Sequence, residues 1–320
     1  MRNSLATFGT ATLLILLLFA ASLYYLIAGR SVAVESNQSI ANGYGSPVQL
    51  AQLENQSIKE SSGLAASKRN PEMFWTHNDS GDGPFIYAFD RRGKHRGIWR
   101  VTGATALDWE DMAIGPGPAE GQSYIYIGDI GDNGRSRHEI IVYRIAEPSI
   151  SSDDSSSTTD SPRLTDRADA IRLTYPDGKY DAEALLIHPL TGDLYIVTKS
   201  MAAPARVYKL KAPHQVSGVS TLTHVGEIRL PNQAMGFITG GAISPDGLRV
   251  ILCDYLGACE FVLEENRSGF DAIWKQPPVQ IDLGPRKQGE SICYRSDGLA
   301  LMATSERLPC PLIEVERRLR

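Results

Sequence analysis

The sequence predicts an all-β fold, a β-propeller built from four-stranded blades. Short β-type runs recur behind mostly acidic residues at intervals of 50, 73, 56 and 51 residues. Turn residues are frequent, with 29 glycines and 18 prolines among 320 residues. Near the N-terminus lies a single strand that belongs to no repeated unit, and the last repeated unit, at the C-terminus, lacks its fourth strand. These three observations together favour a closed ring of repeated units over other all-β folds.

Each unit begins with a strand directly after a marker residue, and a tight turn leads to its second strand. The five unit starts are Glu60, Glu110, Glu183, Thr239 and Glu290. Third strands follow in all five units, and a fourth strand closes the first four. A four-stranded unit repeated at about 40–50 residues is typical of a propeller blade. We count five blades, and six is the alternative if two units were counted as one.

The longest interval contains residues 149–169, a Ser- and Asp-rich segment that we expect to be a disordered insertion. The fifth unit lacks a fourth strand. Residues 47–53 (PVQLAQL) resemble residues 278–283 (PVQIDL), the fourth strand of the unit before it. We therefore expect 47–53 to complete the last blade, because this closure removes exposed sheet edges. A β-sandwich or two small β domains are the alternatives.

The N-terminus contains an uncharged apolar run at residues 10–28, TATLLILLLFAASLYYLIA. A membrane-spanning helix needs about 20 apolar residues, whereas the apolar core of a signal peptide has about 7–15. The run predicts a transmembrane signal anchor within residues 1–33, and a signal peptide cleaved after Ala33 is the alternative. Residues 34–46 form a polar linker. Both interpretations place the propeller, residues 47–320, outside the cytoplasm, either anchored to the membrane or secreted.

Charge and cysteine content exclude some partners. Lys and Arg total 32 against 37 Asp and Glu, a net charge of −5, so we expect no nucleic-acid partner, which would need a basic face. The four cysteines lack CxxC spacing, which argues against a zinc site. Cys253 and Cys259 flank a hairpin between a second and a third strand, and we expect them to form a disulfide.

Blade geometry places acidic residues around one mouth of the central channel. The first strand of a blade lies nearest the axis, and its start shares a rim with the end of the second strand. Asp108 and Asp181 precede two of the glutamates by two residues and so lie on the same side of an extended chain. The expected metal-binding residues are Glu60, Asp79, Glu110, Asp129, Asp132, Asn133, Glu183 and Glu290.

Crowded carboxylates raise one another's pKa or require a cation. Oxygen ligands without a Cys or His cluster suit Ca²⁺, which takes six to eight oxygens. A structural role, in which an acid accepts backbone N–H groups between blades, is the alternative for any single residue. The sequence has no GxSxG, P-loop or HExxH motif. His77 is the one histidine expected on the acidic face, and it is the candidate catalytic base beside Asp79.

Five stretches resemble those of a known group of proteins: ESSGL at 60–64, WTHNDSG at 75–81, DWED at 108–111, GDIGDN at 128–133, and Glu183. In these stretches the chain resembles secreted bacterial propeller proteins. More distantly it is similar to the phytase-like, SdiA-regulated and gluconolactonase/strictosidine synthase-like propellers. The resemblance covers most of residues 47–310. It implies Ca²⁺ bound near the axis through Glu, Asp and Asn, commonly in six-bladed rings.

Two functions follow as expectations. The first is an extracytoplasmic binding module that presents a Ca²⁺-loaded mouth to a small ligand, a glycan or a protein. The second is a Ca²⁺-dependent hydrolase of lactones or phosphoesters, with His77 as the base. Because function is defined by the site rather than by the fold, the missing catalytic motif favours the binding module.

Overall fold

The computed structural model describes residues 43–200, 203–231, 237–264 and 269–318. Within these residues the chain forms a propeller of five separate sheets, which confirms the predicted fold and blade count. The more distantly similar propellers are commonly six-bladed, whereas the described residues of this chain form five sheets. The predicted membrane segment at 10–28 lies outside the described residues. Among the described residues, no helix has the length and apolarity needed to span a bilayer.

The strands are numbered in chain order, and β1 (Val48–Gln52) belongs to the last blade. The first blade contains β2 (Ser61–Ala66), β3 (Met73–Asn78), β4 (Phe85–Asp90) and β5 (His95–Arg100). The second contains β6 (Trp109–Pro116), β7 (Ser123–Asp129), β8 (Ile140–Ala146) and, after the short β9 (Arg163–Leu164), β10 (Asp169–Thr174). The strand β9 instead extends the first blade, because it pairs in parallel with β5.

The third blade contains β11 (Ala182–Ile187), β12 (Leu194–Thr198), β13 (Ala205–Leu210) and, after β14 (Val219–Thr221), β15 (Thr223–Ile228). The strand β14 extends the second blade in parallel with β10. The fourth blade contains β16 (Gly240–Ile243), β17 (Arg249–Cys253), β18 (Ala258–Val262) and β19 (Val279–Ile281). The fifth contains β20 (Ile292–Tyr294), β21 (Ala300–Ala303) and β22 (Pro311–Glu316), completed by β1. Two 3-10 helices, Ser152–Ser156 and Phe270–Lys275, lie in connections between strands.

Apolar residues from successive blades form five core clusters, one between each pair of neighbouring blades. Alternate side chains of a strand point to opposite faces of its sheet, so each blade supplies residues to two clusters. Trp75 and Trp109 are fully buried where the first and second blades meet. Each large buried side chain contributes about 1.5–3 kcal/mol relative to an exposed one. The ring is therefore held together mainly by packing between blades.

The N-terminal strand closes the ring as predicted. β1 pairs antiparallel with β22, with Val48 opposite Glu314 and Gln52 opposite Pro311. Tyr44, just before β1, is buried and donates a hydrogen bond to Oε1 of Glu260 in the fourth blade at 2.6 Å. The start of the described chain is thus fixed to two blades.

Residues 149–169 are ordered, contrary to the prediction of a disordered insertion. Their polar side chains make local bonds that the composition does not reveal. The Ser151 hydroxyl donates to Asp154 at 2.8 Å, and the hydroxyl of Ser157 accepts the Ile98 N–H of β5 at 2.7 Å. Arg163 forms an ion pair with Asp154 at 2.7 Å. The segment therefore packs along the outer edge of the first blade.

The predicted disulfide is also corrected, because all four cysteines are free and buried. Cys253 lies opposite Ala258, and Cys259 lies opposite Leu252. This register places the two thiols on opposite faces of the hairpin. Cys253 accordingly belongs to the core between the fourth and fifth blades, and Cys259 to the core between the third and fourth. A one-residue offset in the strand pairing is enough to separate them.

The two faces of the ring are distinguished by the innermost strands β2, β6, β11, β16 and β20, which contact one another around the channel. We call the face where these strands begin the upper face. We call the opposite face, which holds the turns between first and second strands, the lower face. Those turns comprise residues 67–72, 117–122, 188–193, 244–248 and 295–299.

Candidate metal centre at the upper mouth of the channel

Two glutamates of the upper mouth are positioned by β-bulges. The pairing register shifts between Trp109 and Asp111 in β6, which makes Glu110 the extra residue of a bulge. It shifts in the same way between Ala182 and Ala184 in β11, which makes Glu183 the extra residue there. A bulge re-aims a side chain that regular alternation would direct elsewhere. A β-bulge at the start of the first strand therefore directs a glutamate to the upper mouth in two successive blades.

The first blade has the same bulge but a different residue in it. Its register shifts between Ser61 and Gly63, so Ser62 rather than Glu60 matches Glu110 and Glu183. Glu60 lies two residues earlier, is exposed, and forms an isolated bridge with Glu306. It therefore corresponds in position to Asp108 and Asp181. The expected alignment of Glu60 with the other glutamates is wrong by two residues, because spacing along the chain does not reveal a bulge.

Five carboxylates converge in two groups of three that share Glu110. Asp79, Asp108 and Glu110 form one group, and Glu110, Asp181 and Glu183 form the other. Within each group one oxygen per residue lies within 4.8 Å of the others. Two oxygens that each lie about 2.4 Å from one Ca²⁺ are at most about 4.8 Å apart. Either group can therefore offer three ligand atoms to a single ion.

The loop after β7 leaves room for the first group because it contains glycine. A Cβ added to Gly131 would collide with the carboxylate oxygens of Glu110 and Asp108. The backbone at Gly131 thus lines the space that these oxygens face. The donor atoms here are all oxygens, which suit a hard cation such as Ca²⁺. The space beside Gly131 stays open only because this residue has no Cβ.

Burial and mutual repulsion both raise the pKa values of these carboxyl groups. Glu110 and Glu183 are each only 4% exposed. Burial, with Asp79 and Asp181 nearby, raises the pKa of Asp108 to about 6. Burial and the neighbouring Glu183 raise the pKa of Glu110 well above its usual value. These are the shifts expected for crowded acids without a compensating cation.

One lysine provides partial compensation. Lys199, which directly follows β12, donates hydrogen bonds to Glu183 and to the hydroxyl of Tyr255, the latter at 3.0 Å. Burial raises the pKa of Glu183, and the ammonium group of Lys199 acts in the opposite direction. The Glu183 carboxylate raises the pKa of Lys199 and keeps it charged. The group of Glu110, Asp181 and Glu183 therefore already contains a paired cation. Within the described residues, neither Asp79 nor Asp108 of the other group forms an ion pair.

Glu290 lies outside both groups. It is 4% exposed and accepts a hydrogen bond from Nε2 of Gln288 at 3.0 Å. Burial and the nearby Glu183 and Glu306 raise its pKa to about 9, so the group is protonated near neutral pH. In the fourth blade Thr239 donates to the carbonyl of Gly289 at 3.0 Å. The mouth is therefore strongly acidic on the side of blades one to three.

Two of the three loop residues predicted as ligands, Asp129 and Asp132, have hydrogen-bond partners within the protein. Asp129 is 1% exposed, accepts the N–H of Leu107 at 3.2 Å, and forms an ion pair with Arg137 at 2.8 Å. Asp132 accepts the N–H groups of Ser136 and Arg137, each at 2.8 Å. Asn133 is exposed. Asp129 and Asp132 lie outside both carboxylate groups, and their bonds shape the loop beside those groups. The role of Asn133 as a ligand stays a prediction.

Asp111 has a structural role that sequence reasoning missed. It is fully buried, and its carboxylate accepts the N–H groups of Met112 at 2.8 Å, Leu185 at 2.9 Å and Gly241 at 3.2 Å. The donors belong to the second, third and fourth blades. Burial raises the pKa of Asp111, and the three N–H groups oppose this effect. A single side chain thus links three innermost strands across the channel.

His77, the candidate catalytic base, is fully buried at 0% exposure. Its Nδ1 lies 2.8 Å from the carbonyl oxygen of Asn78, and its ring meets Trp109 edge-on at 5.6 Å between centroids. Burial lowers the pKa of His77. Its ring therefore packs between the first two blades, below the carboxylates.

No protein-family model matches the chain, and no curated protein matches it. The resemblance to Ca²⁺-binding propellers therefore stays a prediction from the quoted stretches. Fold and site together define a class: a five-bladed β-propeller with carboxylates clustered at one mouth of its channel.

Proposed function

We propose that this protein is an extracytoplasmic, calcium-binding propeller that uses the upper mouth to hold a ligand or a partner. The observation that supports the proposal most strongly is the convergence of five carboxylates in two groups around Glu110. A divalent cation leaves such groups ionised and relieves their repulsion. Of the two groups, Asp79, Asp108 and Glu110 is the better cation site, because Lys199 already pairs with Glu183 in the other.

Three protein ligands leave room on the ion for other oxygens, since Ca²⁺ takes six to eight. A small ligand, a glycan or an acidic group of a protein can provide them at the open end of the channel. The binding function needs only the ion and an accessible mouth. Asp79 and Asp108 are both only half-buried, which supports access from the upper face.

The experiment is a calcium titration of the full chain in detergent, followed by calorimetric scans in EDTA and in excess Ca²⁺. Binding to the folded state alone stabilises it by about 2.7 kcal/mol at a hundredfold excess over Kd. Glu110→Gln should abolish most of this gain, because Glu110 belongs to both groups. Glu120→Gln is the matched control, since Glu120 is exposed in the turn at the other end of the same hairpin. Superimposed scans, with no metal found by elemental analysis, would refute the proposal.

Calcium-dependent hydrolysis of lactones or phosphoesters is the second candidate. One observation favours it: the charged amine of Lys199 is hydrogen-bonded to Tyr255 beside the carboxylates, where it can stabilise negative charge that develops on a bound ester or phosphoester. It is better placed to contact a bound molecule than the buried His77. Turnover of ester, lactone or phosphoester substrates in Ca²⁺ but not in EDTA, lost in Lys199→Met and kept in His77→Gln, would establish this activity. No turnover with any substrate would exclude these reactions and leave the binding function.

A further inference from the structure

We propose that the lower face of the propeller rests on the lipid bilayer that receives residues 10–28, so that the acidic mouth points away from the membrane. This inference goes beyond the proposed function and does not depend on a bound metal. It combines the apolar side chains of the lower face, the charges around them and the point at which the chain enters the ring.

Three successive blades each expose a leucine on the lower face. Leu190 is 72% exposed, Leu248 48% and Leu299 37%. Each lies in the turn that joins the first and second strands of its blade. Exposed leucines that stand singly are common, but neighbouring ones on one face mark an interaction surface.

The three turns are in contact with one another. The Cδ1 atom of Leu190 lies 3.7 Å from the position that a Cβ of Gly247 would take in the next blade. Nη2 of Arg249 donates to the carbonyl of Gly298 in the blade after that, at 3.4 Å. The three turns that carry the exposed leucines therefore lie side by side along the rim and form one band.

The charges in this band are neutralised. Each turn contains one aspartate, and each aspartate is paired with a cation. The pairs are Asp193 with Lys209 at 3.0 Å, Asp246 with Arg249 at 3.0 Å, and Asp297 with Arg295 at 2.8 Å. The upper mouth, by contrast, has an excess of carboxylates, which an anionic bilayer surface repels. The lower face is thus the face that suits a membrane.

The chain enters the ring beside the same band. Tyr44 forms a bridge with Arg317, whose N–H donates to the carbonyl of Leu299 at 2.8 Å. The N–H of Arg318 donates to the carbonyl of Gly43 at 2.7 Å. Only the 14 residues 29–42 separate this point from the apolar run. Because the chain enters the ring at the lower face, that face is the nearer one along the chain to the predicted membrane segment.

A small-molecule pocket does not account for these leucines. The channel on the lower side, lined by residues such as Leu64, Met112 and Ile187, has about 70 Å³ of room for a water-sized molecule. Ligand pockets usually measure roughly 300–1,000 Å³. The exposed band therefore suits contact with an extended apolar surface better than a bound small molecule.

The test uses the full chain in vesicles of phosphatidylcholine and phosphatidylglycerol, with one environment-sensitive label per protein. Labels go on Leu190→Cys, Leu248→Cys or Leu299→Cys, because the four native thiols are buried. The matched control is Leu107→Cys, a leucine that is 62% exposed on the upper side, next to Asp108. Brominated lipids should quench the three lower labels at least about twofold more than the control, because interfacial side chains lie roughly 5–10 Å into the headgroup region.

Equal quenching at all four positions would overturn the proposal, and so would failure of the full chain to associate with vesicles. Shielding of the lower labels in detergent that increases with protein concentration would show a second copy of the chain on this face. That result would also overturn the proposal. Calcium plays no part in the measurement, so the outcome is separate from that of the metal experiment.

Discussion

Lys199 forms a buried ion pair with Glu183 at the upper mouth, where their side chains are only 16% and 5% exposed. Lys199 comes from the end of the second strand of its blade, and Glu183 from the bulge at the start of the first. Both charges lose most of their hydration, so each depends on the other. The pair also acts beyond its own blade. Burial raises the pKa values of Glu110, Glu290 and Glu306, and the charge of Lys199 opposes this rise.

We expect Lys199→Met to destabilise the protein by about 3 kcal/mol in EDTA, because it leaves the Glu183 charge buried without its partner. The double variant Lys199→Met/Glu183→Gln should recover most of that loss. Guanidinium unfolding of the two single variants and the double variant measures the coupling. A double variant as unstable as the sum of the single variants would show that the pair contributes nothing.

Gly131→Ala tests the calcium site without removing a charge. A methyl group at this position would collide with Glu110 and Asp108, so we expect calcium binding to weaken at least about tenfold, a change of roughly 1.4 kcal/mol. Gly134→Ala is the control, because a Cβ there meets only the Ser136 hydroxyl, at 3.7 Å. Calorimetric titration of both variants makes the comparison. Unchanged affinity in Gly131→Ala would place the ion elsewhere.

Asp111 should behave as a structural residue rather than as a metal ligand. Asp111→Ala leaves three buried N–H groups without an acceptor, and we expect a loss of about 3 kcal/mol or more. The loss should be the same in EDTA and in excess Ca²⁺, as measured by thermal unfolding. Asp160→Ala, at an exposed position, should change stability by less than about 0.5 kcal/mol. A loss for Asp111→Ala that appears only in Ca²⁺ would assign this residue to the metal site.

His214 should make the propeller sensitive to mild acid. It is 9% exposed, its Nε2 has no hydrogen-bond partner among the described residues, and burial lowers its pKa from 6.5 to about 4. The folded state keeps the ring neutral, whereas the unfolded chain binds a proton below about pH 6.5. The contribution of His214 to stability is therefore complete above that pH and is lost as the pH falls towards 4, by up to about 3 kcal/mol.

The measurement compares unfolding free energies at several pH values between 4 and 7 for the wild type and His214→Gln. The variant should show the shallower decline over this range. His138→Gln, which replaces an exposed histidine, should retain the slope of the wild type. Parallel curves for the wild type and His214→Gln would contradict the prediction.

The ring could be predicted from sequence because its evidence is periodic. Five first strands and the unpaired segment 47–53 give the blade count and the closure without any knowledge of contacts. The errors arise where register or local bonding decides. Cys253 and Cys259 are one residue away from being paired opposite each other, so their side chains lie on different faces of the sheet. Residues 149–169 are ordered by hydrogen bonds that their composition does not indicate.

The DWED stretch shows why the site was predicted only in part. Regular alternation correctly brings Asp108 and Glu110 to the same mouth. The bulge at Glu110 then determines where Asp111 goes, and its carboxylate enters the channel interior to bind three strands. Composition and spacing identify an acidic mouth, but they do not show which acids bind N–H groups and which remain open to a cation.

The pairing of β1 with β22 affects how the protein is made. Val48 and Glu314 are opposite each other, although 266 positions separate them in the chain. During synthesis β1 is produced first and is the last strand to find its neighbour, a long-range contact of the kind that slows folding. Any chain that stops before Pro311 leaves β1 unpaired and the circle open. The ring can therefore close only after β22 has been synthesised. Shorter products expose strand edges, which proteases and chaperones recognise.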